Sequence, residues 1–527
     1  DGAFAVFGGS AGTVTVDNSL GAVTAAGMQF AASGYTINGD AITLTAPQSV
    51  IRVGDGSSAG AGFVATINAA LAGDAQLVKT DAGTLVVTGT NSYTGGTAIN
   101  GGTLQIARDA SLGAASGGLR FDGGALVTSA TFASNRAVTV AGAGTIATAN
   151  ATTLTLAGPL SGSGALTKTG AGTLLLTGNG GGYTGATTIA AGTLAVTGTL
   201  GGTVNVASGA RLEGTGSVGG VTNLGIVAPG RDGFGTLTAA SYTGAGGRLE
   251  IETVLGGDAS QTDRLVTGAT AGRTTIDLVN RGGLGAQTVE GIKIVDVTGA
   301  SDGTFLLHGD YAIGGEQAVI AGAYGYRLYK GGVATPTDGD WYLRSTLLVA
   351  PEQPQVPLYQ PGVPVYEAYG QTLLALTDIG TMQQRTGNRQ WAATESGKPS
   401  GIWGRMQAGR SRPNATVSTS LADVNVDSWK MEIGADHVLS ERGDGASLVL
   451  GVLGGYGEAN ASIASVYGGG SIKTKGYSAG ATLTWFGPKG FYIDGRAQAT
   501  WFDSRLRSAV LGTLADGNHG FGQTYSL

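Results

Sequence analysis

Residues 77–89 read LVKTDAGTLVVTG and residues 166–178 read LTKTGAGTLLLTG, so the chain carries two near copies of one segment. Each copy continues through a Tyr-Thr-Gly triplet, at Tyr93–Gly95 and Tyr183–Gly185, to a second Gly-Thr-Leu. Gly-Thr-Leu therefore recurs after 19 residues in the first copy and after 20 residues in the second. A period near 20 with short β-branched runs and Gly or Asn turns is typical of one turn of a parallel β-helix. The repeat thus predicts a solenoid.

The two repeats span residues 77–106 and 166–196, and their shared residues are predicted to have a structural role. The motif consists of Lys79, Gly83, Thr84, Leu85, Tyr93 and Gly95 in the first copy and Lys168, Gly172, Thr173, Leu174, Tyr183 and Gly185 in the second.

Composition restricts the classes of protein to which the chain could belong. It contains 97 Gly in 527 residues but only 12 Pro and no Gly-x-y period, which excludes collagen and favours turn-dense β-structure. The charged fraction is 13%, about half the usual value, while the hydrophobic fraction of 42% argues against disorder. The absence of Cys removes disulfides and thiolate metal sites. A net charge of −6 without a basic stripe argues against a nucleic-acid partner. No cofactor or metal site is expected.

Composition also divides the chain. All six Trp lie after residue 340, and five of the 12 Pro lie between Pro351 and Pro364. The expected segments are a β-helix over residues 1–230, a polar end cap over 231–350, a Pro-rich linker over 351–364, a helix over 365–392 and a set of long strands over 400–527. With no initiator Met and no apolar run of membrane length, the chain is expected to be a fragment and not a helical membrane protein.

The helix predicted over residues 365–392 is long but polar. Tyr366, Tyr369, Leu373, Leu376 and Gly380 follow helical spacing along one face. Roughly 26 residues at 1.5 Å each give about 39 Å, enough to cross a bilayer. Its polarity fits the inside of a pore, and an interdomain helix on a surface remains the alternative.

From residue 401 onward the pattern changes to strict alternation over long strands. Between Thr474 and Phe486, for example, Tyr477 and Trp485 belong to an apolar set that alternates with Thr and Gly. Strands of 10 or more residues with one apolar face and terminal aromatics are typical of a transmembrane β-barrel. A soluble antiparallel sheet is the alternative, but soluble strands average about 5 to 6 residues.

If Trp429 and Trp485 face lipid, the charged residues at the alternate positions point to the lumen and contact the helix. The predicted pore-lining residues are Arg405, Lys430, Glu432, Asp436, Asp494 and Arg496.

Together, the repeats, the cap, the helix and the opening Trp403-Gly404-Arg405 of the first long strand resemble a classical (type V) autotransporter of Gram-negative bacteria. The β-helix and cap are similar to pertactin-like and self-associating-adhesin-like passengers. The resemblance implies an all-β chain: a right-handed parallel β-helix passenger with an autochaperone-like cap, a linker helix, and the N-terminal part of an antiparallel barrel. It also implies that the barrel lies in outer-membrane lipid after insertion by the barrel-assembly machinery, with the passenger at the cell surface. The family's barrel has twelve strands. Residues 400–527 provide about five to six, so the barrel is expected to be incomplete.

Catalysis has little support in the sequence. The chain has three His, none of them within the repeats, and no Gly-x-Ser-x-Gly motif. Glu250 and Glu252 are interpreted as exposed charges on one strand and not as an acid–base pair. The expected passenger function is adhesion to a host surface or to like passenger chains. The alternative is a stalk for a protease or esterase domain upstream of residue 1.

Overall fold

The computed structural model describes residues 2–347, 356–386, 400–413 and 418–527. The chain forms two compact units, one of residues 1–309 with 327–344 and the other of residues 310–326 with 345–527. Each unit is built almost entirely from β-strands.

The first unit consists of short strands joined by turns and two 3₁₀ segments. Its strands up to the first repeat are Phe4–Phe7, Thr13–Val16, Val23–Ala25, Gly27–Phe30, Tyr35–Gly39, Ile42–Leu44, Gln48–Val53, Val64–Ile67, Leu71–Ala72, Gln76–Thr80, Thr84–Val87, Thr97–Ile99 and Thr103–Ile106. Those up to the second repeat are Leu119–Phe121, Ala125–Thr128, Phe132–Ser134, Val138–Val140, Gly144–Thr148, Thr153–Leu156, Leu160–Gly162, Leu166–Thr169, Thr173–Leu176, Asn179–Gly180, Gly182–Tyr183, Thr187–Ile189 and Thr193–Val196. The remaining strands are Thr199–Leu200, Val204–Val206, Arg211–Gly214, Ser217–Asn223, Ile226–Pro229, Thr236–Thr253, Arg264–Thr267, Thr270–Asn280, Ile292–Val297, Thr304–His308 and Trp341–Arg344, and the 3₁₀ segments are Ser58–Gly62 and Asp109–Leu112.

Strand pairing confirms that each repeat contributes successive turns, or rungs, of a parallel β-helix. In the first copy Leu85 pairs in parallel with Leu104, and in the second Leu174 pairs with Leu194. These four leucines are at most 1% exposed. Each buried Leu contributes roughly 1.5–3 kcal/mol, so the stacked apolar column is the main source of stability. The sequence period of 19 or 20 residues is therefore the length of one rung.

The parallel ladder does not stop near residue 230, where the sequence predicts the end of the β-helix. Thr236–Thr253 pairs in parallel with Thr270–Asn280, which pairs in parallel with Thr304–His308. The inward positions stay apolar, and the added charges occupy the outward positions of the same strands. Antiparallel pairing begins where Trp341–Arg344 pairs with Ile292–Val297, so the parallel ladder continues into the segment predicted to be the cap.

In its described residues the second unit contains two helices and a six-stranded antiparallel sheet whose strands follow chain order. The six strands, numbered first to sixth, are Ser400–Ser411, Asp423–Glu441, Ser447–Ala464, Gly470–Phe486, Tyr492–Ser508 and Gly512–Ser526. Shorter strands are Tyr311–Ile313, Glu316–Ala321, Thr346–Leu347 and Val356–Pro357, and Tyr324–Lys330 joins the two units. The long sheet strands match the expectation of an incomplete barrel of about six strands.

The expected helix over residues 365–392 is two helices in the structure, α1 (Val363–Thr377) and α2 (Met382–Thr386), and residues 387–392 lie outside the described residues. Pro364 in the first turn of α1 fixes a helical φ, which explains the earlier start. Lys430 donates a hydrogen bond to the Asp378 carbonyl at the end of α1. Gly380 lies so close to the Arg405 guanidinium that a Cβ would clash with it. These contacts from the sheet end α1. No helix in the described part of the chain is long and apolar enough to span a bilayer.

Candidate functional site

The repeat lysines Lys79 and Lys168 are completely buried at the end of a strand, next to the turn that follows it. The Lys79 ammonium donates to the carbonyls of Thr80, Asp81 and Gly101 at 2.7, 2.9 and 3.1 Å. Gly101 belongs to the next rung, so one ammonium joins two rungs.

Lys168 repeats this geometry. Its ammonium donates to Thr169, Gly170 and Ala191 carbonyls at 2.7, 2.9 and 3.2 Å. Burial lowers the pKa of each lysine to about 8, which leaves both protonated at neutral pH. The lysines therefore hold the turn carbonyls in place and have no access to a substrate.

The other motif residues are also structural. A Cβ on Gly83 or on Gly172 would clash with carbonyl oxygens of the preceding rung, so only glycine permits this approach. Tyr93 and Tyr183 are both fully buried, and the Tyr183 hydroxyl donates to the Gly164 carbonyl at 2.9 Å. Thr84, Leu85, Thr173 and Leu174 lie in the paired rung strands, and Gly95 and Gly185 follow the tyrosines in turns.

A second group of candidate residues lies on the face of the long sheet that carries the helices. Glu432 forms ion pairs with Arg405 at 2.7 Å and with Arg496 at 2.6 Å. The side chains of Glu432 and Arg496 are at most 2% exposed. Lys430 is buried beside them and contacts α1 through Asp378. Direct contact between oppositely charged groups offsets part of the cost of burial.

Arg385 of α2 completes this group. Its guanidinium lies 3.4 Å from Asp436 and 2.6 Å from Asp494, which are on the second and fifth strands. Thr482 and Thr484 accept from it at 3.3 Å each. The structure thus brings all six predicted pore-lining residues to one face. Arg385 is not among the residues predicted from the sequence, and the signal that could have found it is the presence of two carboxylates, Asp436 and Asp494, at inward positions.

α1 packs against the same face through apolar contacts. Val365, Ala368 and Leu376 join inward residues of the second to fifth strands in one buried cluster. Tyr369 and Leu373 pack against it, but Tyr366 is 50% exposed, so the predicted apolar face is wrong at that residue. Glycines at positions 457 and 476 leave space for Leu376 to approach the sheet.

The opposite face of the sheet is apolar and exposed between two groups of aromatics. One row, on the second to sixth strands, consists of Trp429, Tyr456, Tyr477, Trp501 and Phe521. Trp485 and Phe491 mark the other end, with ring centroids 5.9 Å apart. Tyr477 and Trp485 are eight residues apart on one strand, which corresponds to about 27 Å at 3.4 Å per residue. That separation is close to the roughly 25 Å apolar band of outer-membrane barrels.

A charged cleft of about 730 Å³ lies in the first unit. Glu250 pairs with Arg211 at 2.8 Å, Glu252 pairs with Arg281, and burial raises the pKa of Asp263 to about 6. His308, 65% exposed, contacts only Asp277 among the ion pairs of the described residues. The two glutamates are thus occupied by arginines, and no hydroxyl nucleophile is assembled with a histidine in the described part of this unit.

Comparison with protein families assigns three segments of the chain. The family Passenger-associated-transport-repeat matches residues 77–106 and 166–196. Autochaperone Domain Type 1 matches residues 218–328, and Autotransporter beta-domain matches residues 402–527.

Comparison with individual proteins gives consistent results. The chain is 54% identical over 547 residues to the adhesin BmaC autotransporter of Brucella suis biovar 1. The aligned region covers 100% of this chain and 16% of that protein. It is 28% identical to the autotransporter adhesin AIDA-I of Escherichia coli, over 52% of this chain and 21% of that protein. It is 30% identical to the uncharacterized protein YuaQ of Escherichia coli strain K12, over 58% of this chain and 23% of that protein. The chain thus spans less than a quarter of the length of each of these relatives.

Proposed function

We propose that this chain, which has the repeats, autochaperone segment and β-domain of a classical autotransporter, displays an adhesive β-helix on the surface of a Gram-negative cell. In this proposal the long sheet belongs to a barrel in the outer membrane, and α1 and α2 occupy its interior. The barrel and helices serve passenger translocation. The observation that carries the proposal is the contrast between the two faces of the sheet.

That contrast matches the two environments of a barrel wall. The outward face exposes Ile402, Met406, Ile433 and Val452 at 58–77%, which water would disfavour and lipid would stabilise. The inward face holds paired charges and packs on α1. We infer that the barrel-assembly machinery inserts the strands, since a sheet with unpaired edges is costly in lipid.

The surface of the β-helix supports adhesion through many weak contacts. Outward threonines follow one another on successive rungs: Thr84 pairs with Thr103, and Thr145 pairs with Thr167, which pairs with Thr188. Such a ladder presents hydroxyls at about 4.8 Å intervals without net charge. It suits hydrogen bonding to a host surface or to like passenger chains.

A protease or esterase carried on this stalk remains the other candidate from the sequence, but no geometric feature favours it. Two of the relatives are called adhesins, and the charged cleft in the β-helix has its glutamates paired with arginines. We therefore propose that this part of the protein is not catalytic.

Protease treatment of intact cells tests the proposal. Cells expressing the full natural chain are digested from outside and probed with an antibody against residues 77–196. Loss of the signal without lysis is the expected result, and a signal that stays protected until lysis would contradict surface display. Deletion of the two repeats should then reduce cell aggregation or attachment, with a deletion of similar length before residue 64 as the matched control.

A further inference from the structure

The outward face of the long sheet continues beyond the aromatic row into a charged cleft at one end. The cleft has a volume of about 420 Å³ and is lined by residues of the third to sixth strands. Its charged side chains are Glu458, Lys473, Lys475, Asp503, Arg505 and Asp516.

Register places these charges in two rows. Lys475 lies between Glu458 and Asp503 on the neighbouring strands, and Lys473 lies between Asn460 and Arg505. Lys475 is two residues beyond Tyr477, and Lys473 is four residues beyond it. At 3.4 Å per residue the lysines lie about 7 and 14 Å past the aromatic row. Aromatics of this kind mark the boundary of the apolar layer, so the cleft lies at the depth of lipid headgroups.

The cations of the cleft differ in their partners. Arg505 forms a two-point ion pair with Asp516 at 2.8 and 3.0 Å. Neither Lys473 nor Lys475 forms an ion pair within the part of the chain that the structure describes, although carboxylates flank Lys475 on both sides. Two exposed ammonium groups with unused donors attract a phosphate, and the flanking carboxylates accept hydrogen bonds from hydroxyls.

We propose that this cleft binds the phosphorylated sugar headgroup of a glycolipid in the outer leaflet of the membrane. Lys473 and Lys475 contact the phosphate, while Glu458 and Asp503 accept hydrogen bonds from sugar hydroxyls. The acyl chains lie along the apolar face below, starting at Tyr477 and Trp501. The Tyr456 hydroxyl already donates to one oxygen of Glu458, so a lipid with phosphate but no sugar would leave Asp503 and the other oxygen of Glu458 without a sugar donor.

The orientation of the sheet agrees with this leaflet. The segment that precedes α1 contacts the same end of the sheet, where Tyr467 donates to the Pro357 carbonyl at 2.9 Å and Ser508 donates to the Pro361 carbonyl at 3.2 Å. The chain therefore enters the sheet interior at this end. The inference rests on the proposed function, which places the passenger outside the cell and this end in the outer leaflet.

The test uses the full natural chain purified in detergent and the double variant K473Q/K475Q. Lipid A is added as the probe, and the unfolding temperature of the β-domain is followed by the loss of its heat-modifiable gel mobility. Saturating lipid A should raise that temperature by roughly 5–10 °C in the unchanged protein. Most of this shift should be lost in K473Q/K475Q and kept in K473R/K475R. K489Q is the matched control, because Lys489 lies in the turn at the opposite end of the sheet.

Three further probes separate the possible anions. Dephosphorylated lipid A, phosphatidylglycerol and inorganic phosphate should each give a much smaller shift than lipid A. An equal shift with any of them, or an unchanged response of K473Q/K475Q, would overturn the glycolipid assignment.

Recovery of the heat-modifiable form in the outer-membrane fraction is measured in parallel. If that form is absent from the fraction for the unchanged protein, the proposed function fails. If it is present and the lysine variant responds like the unchanged protein, only the glycolipid site fails.

Discussion

Placing a positive charge in the middle of the outward face should weaken the β-domain in proportion to the depth of the site. Ala481 is exposed on the fourth strand, four residues from Tyr477 and four from Trp485, so it lies about 14 Å from each aromatic group. An Arg or Lys at the midplane of a barrel's lipid face costs about 2–4 kcal/mol, and near the interface about 0–1 kcal/mol. We therefore expect Ala481→Arg to lower the free energy of unfolding by about 3 kcal/mol.

Asn460→Arg is the matched control, since Asn460 has the same outward orientation beyond the aromatic row. Both variants are measured by urea titration of the full natural chain in phospholipid vesicles, with heat-modifiable gel mobility as the readout. Ala481→Leu should leave the midpoint unchanged, because it adds only apolar surface. Equal midpoints for Ala481→Arg and Asn460→Arg would refute the assignment of this face to lipid, since a water-exposed sheet has no depth dependence.

Three further outcomes are expected in the β-helix. Arg136→Met should lower the free energy of unfolding by about 3–5 kcal/mol in thermal unfolding, because the buried guanidinium pairs with both oxygens of Asp109. Arg120 forms an exposed pair with Asp122 and serves as the control, so Arg120→Met should change that free energy by no more than about 1 kcal/mol. Burial raises the folded-state pKa of Asp263 from 3.8 to about 6, so its contribution to stability falls as pH rises through this window. Between pH 4 and pH 6.5 the urea midpoint of the unchanged protein should therefore fall relative to that of Asp263→Asn, and parallel pH profiles would contradict the raised pKa. Gly170→Ala should lower the free energy of unfolding by about 1–2 kcal/mol, because the residue has φ 73° and its Cβ would meet the Thr148 carbonyl. Gly181→Ala is the control, since Gly181 has a negative φ and no backbone atom near the position of a Cβ. Equal unfolding temperatures for the two variants would contradict the strain at Gly170.

Local periodicity predicted the features of this fold that repeat along the chain. The interval between Leu85 and Leu104 equals one rung because identical side chains stack in the same column. Alternation over the fourth strand likewise separated Tyr477 and Trp485 from the inward Thr482 and Thr484. Once the alternation of apolar and polar residues along a strand is recognised, it determines which face of the strand is buried.

The features that sequence did not predict depend on contacts between distant segments. The end of α1 was missed because Gly380 continues the apolar spacing, while its neighbour Arg405 comes from the first strand. The end of the β-helix was placed too early because charge increases after residue 230, although Leu249 and Ile251 still point inward. Average composition cannot separate the two faces of a strand, whereas the alternation of individual residues can.

The buried lysines show how that alternation could have been used further. Leu77 and Lys79 are two residues apart on one strand and therefore share its inward face, as do Leu166 and Lys168 in the second repeat. A lysine at an inward position next to a turn needs acceptors, and carbonyls at the end of a strand are the acceptors nearest to it. The same reasoning applies to the inward carboxylates of Asp436 and Asp494, to which Arg385 of α2 supplies a cation. The acidic residues on the inward face of the sheet thus favour a helix that carries a cation against that face. Predicting this contact from sequence requires the inward strand residues and the helix residues to be considered together.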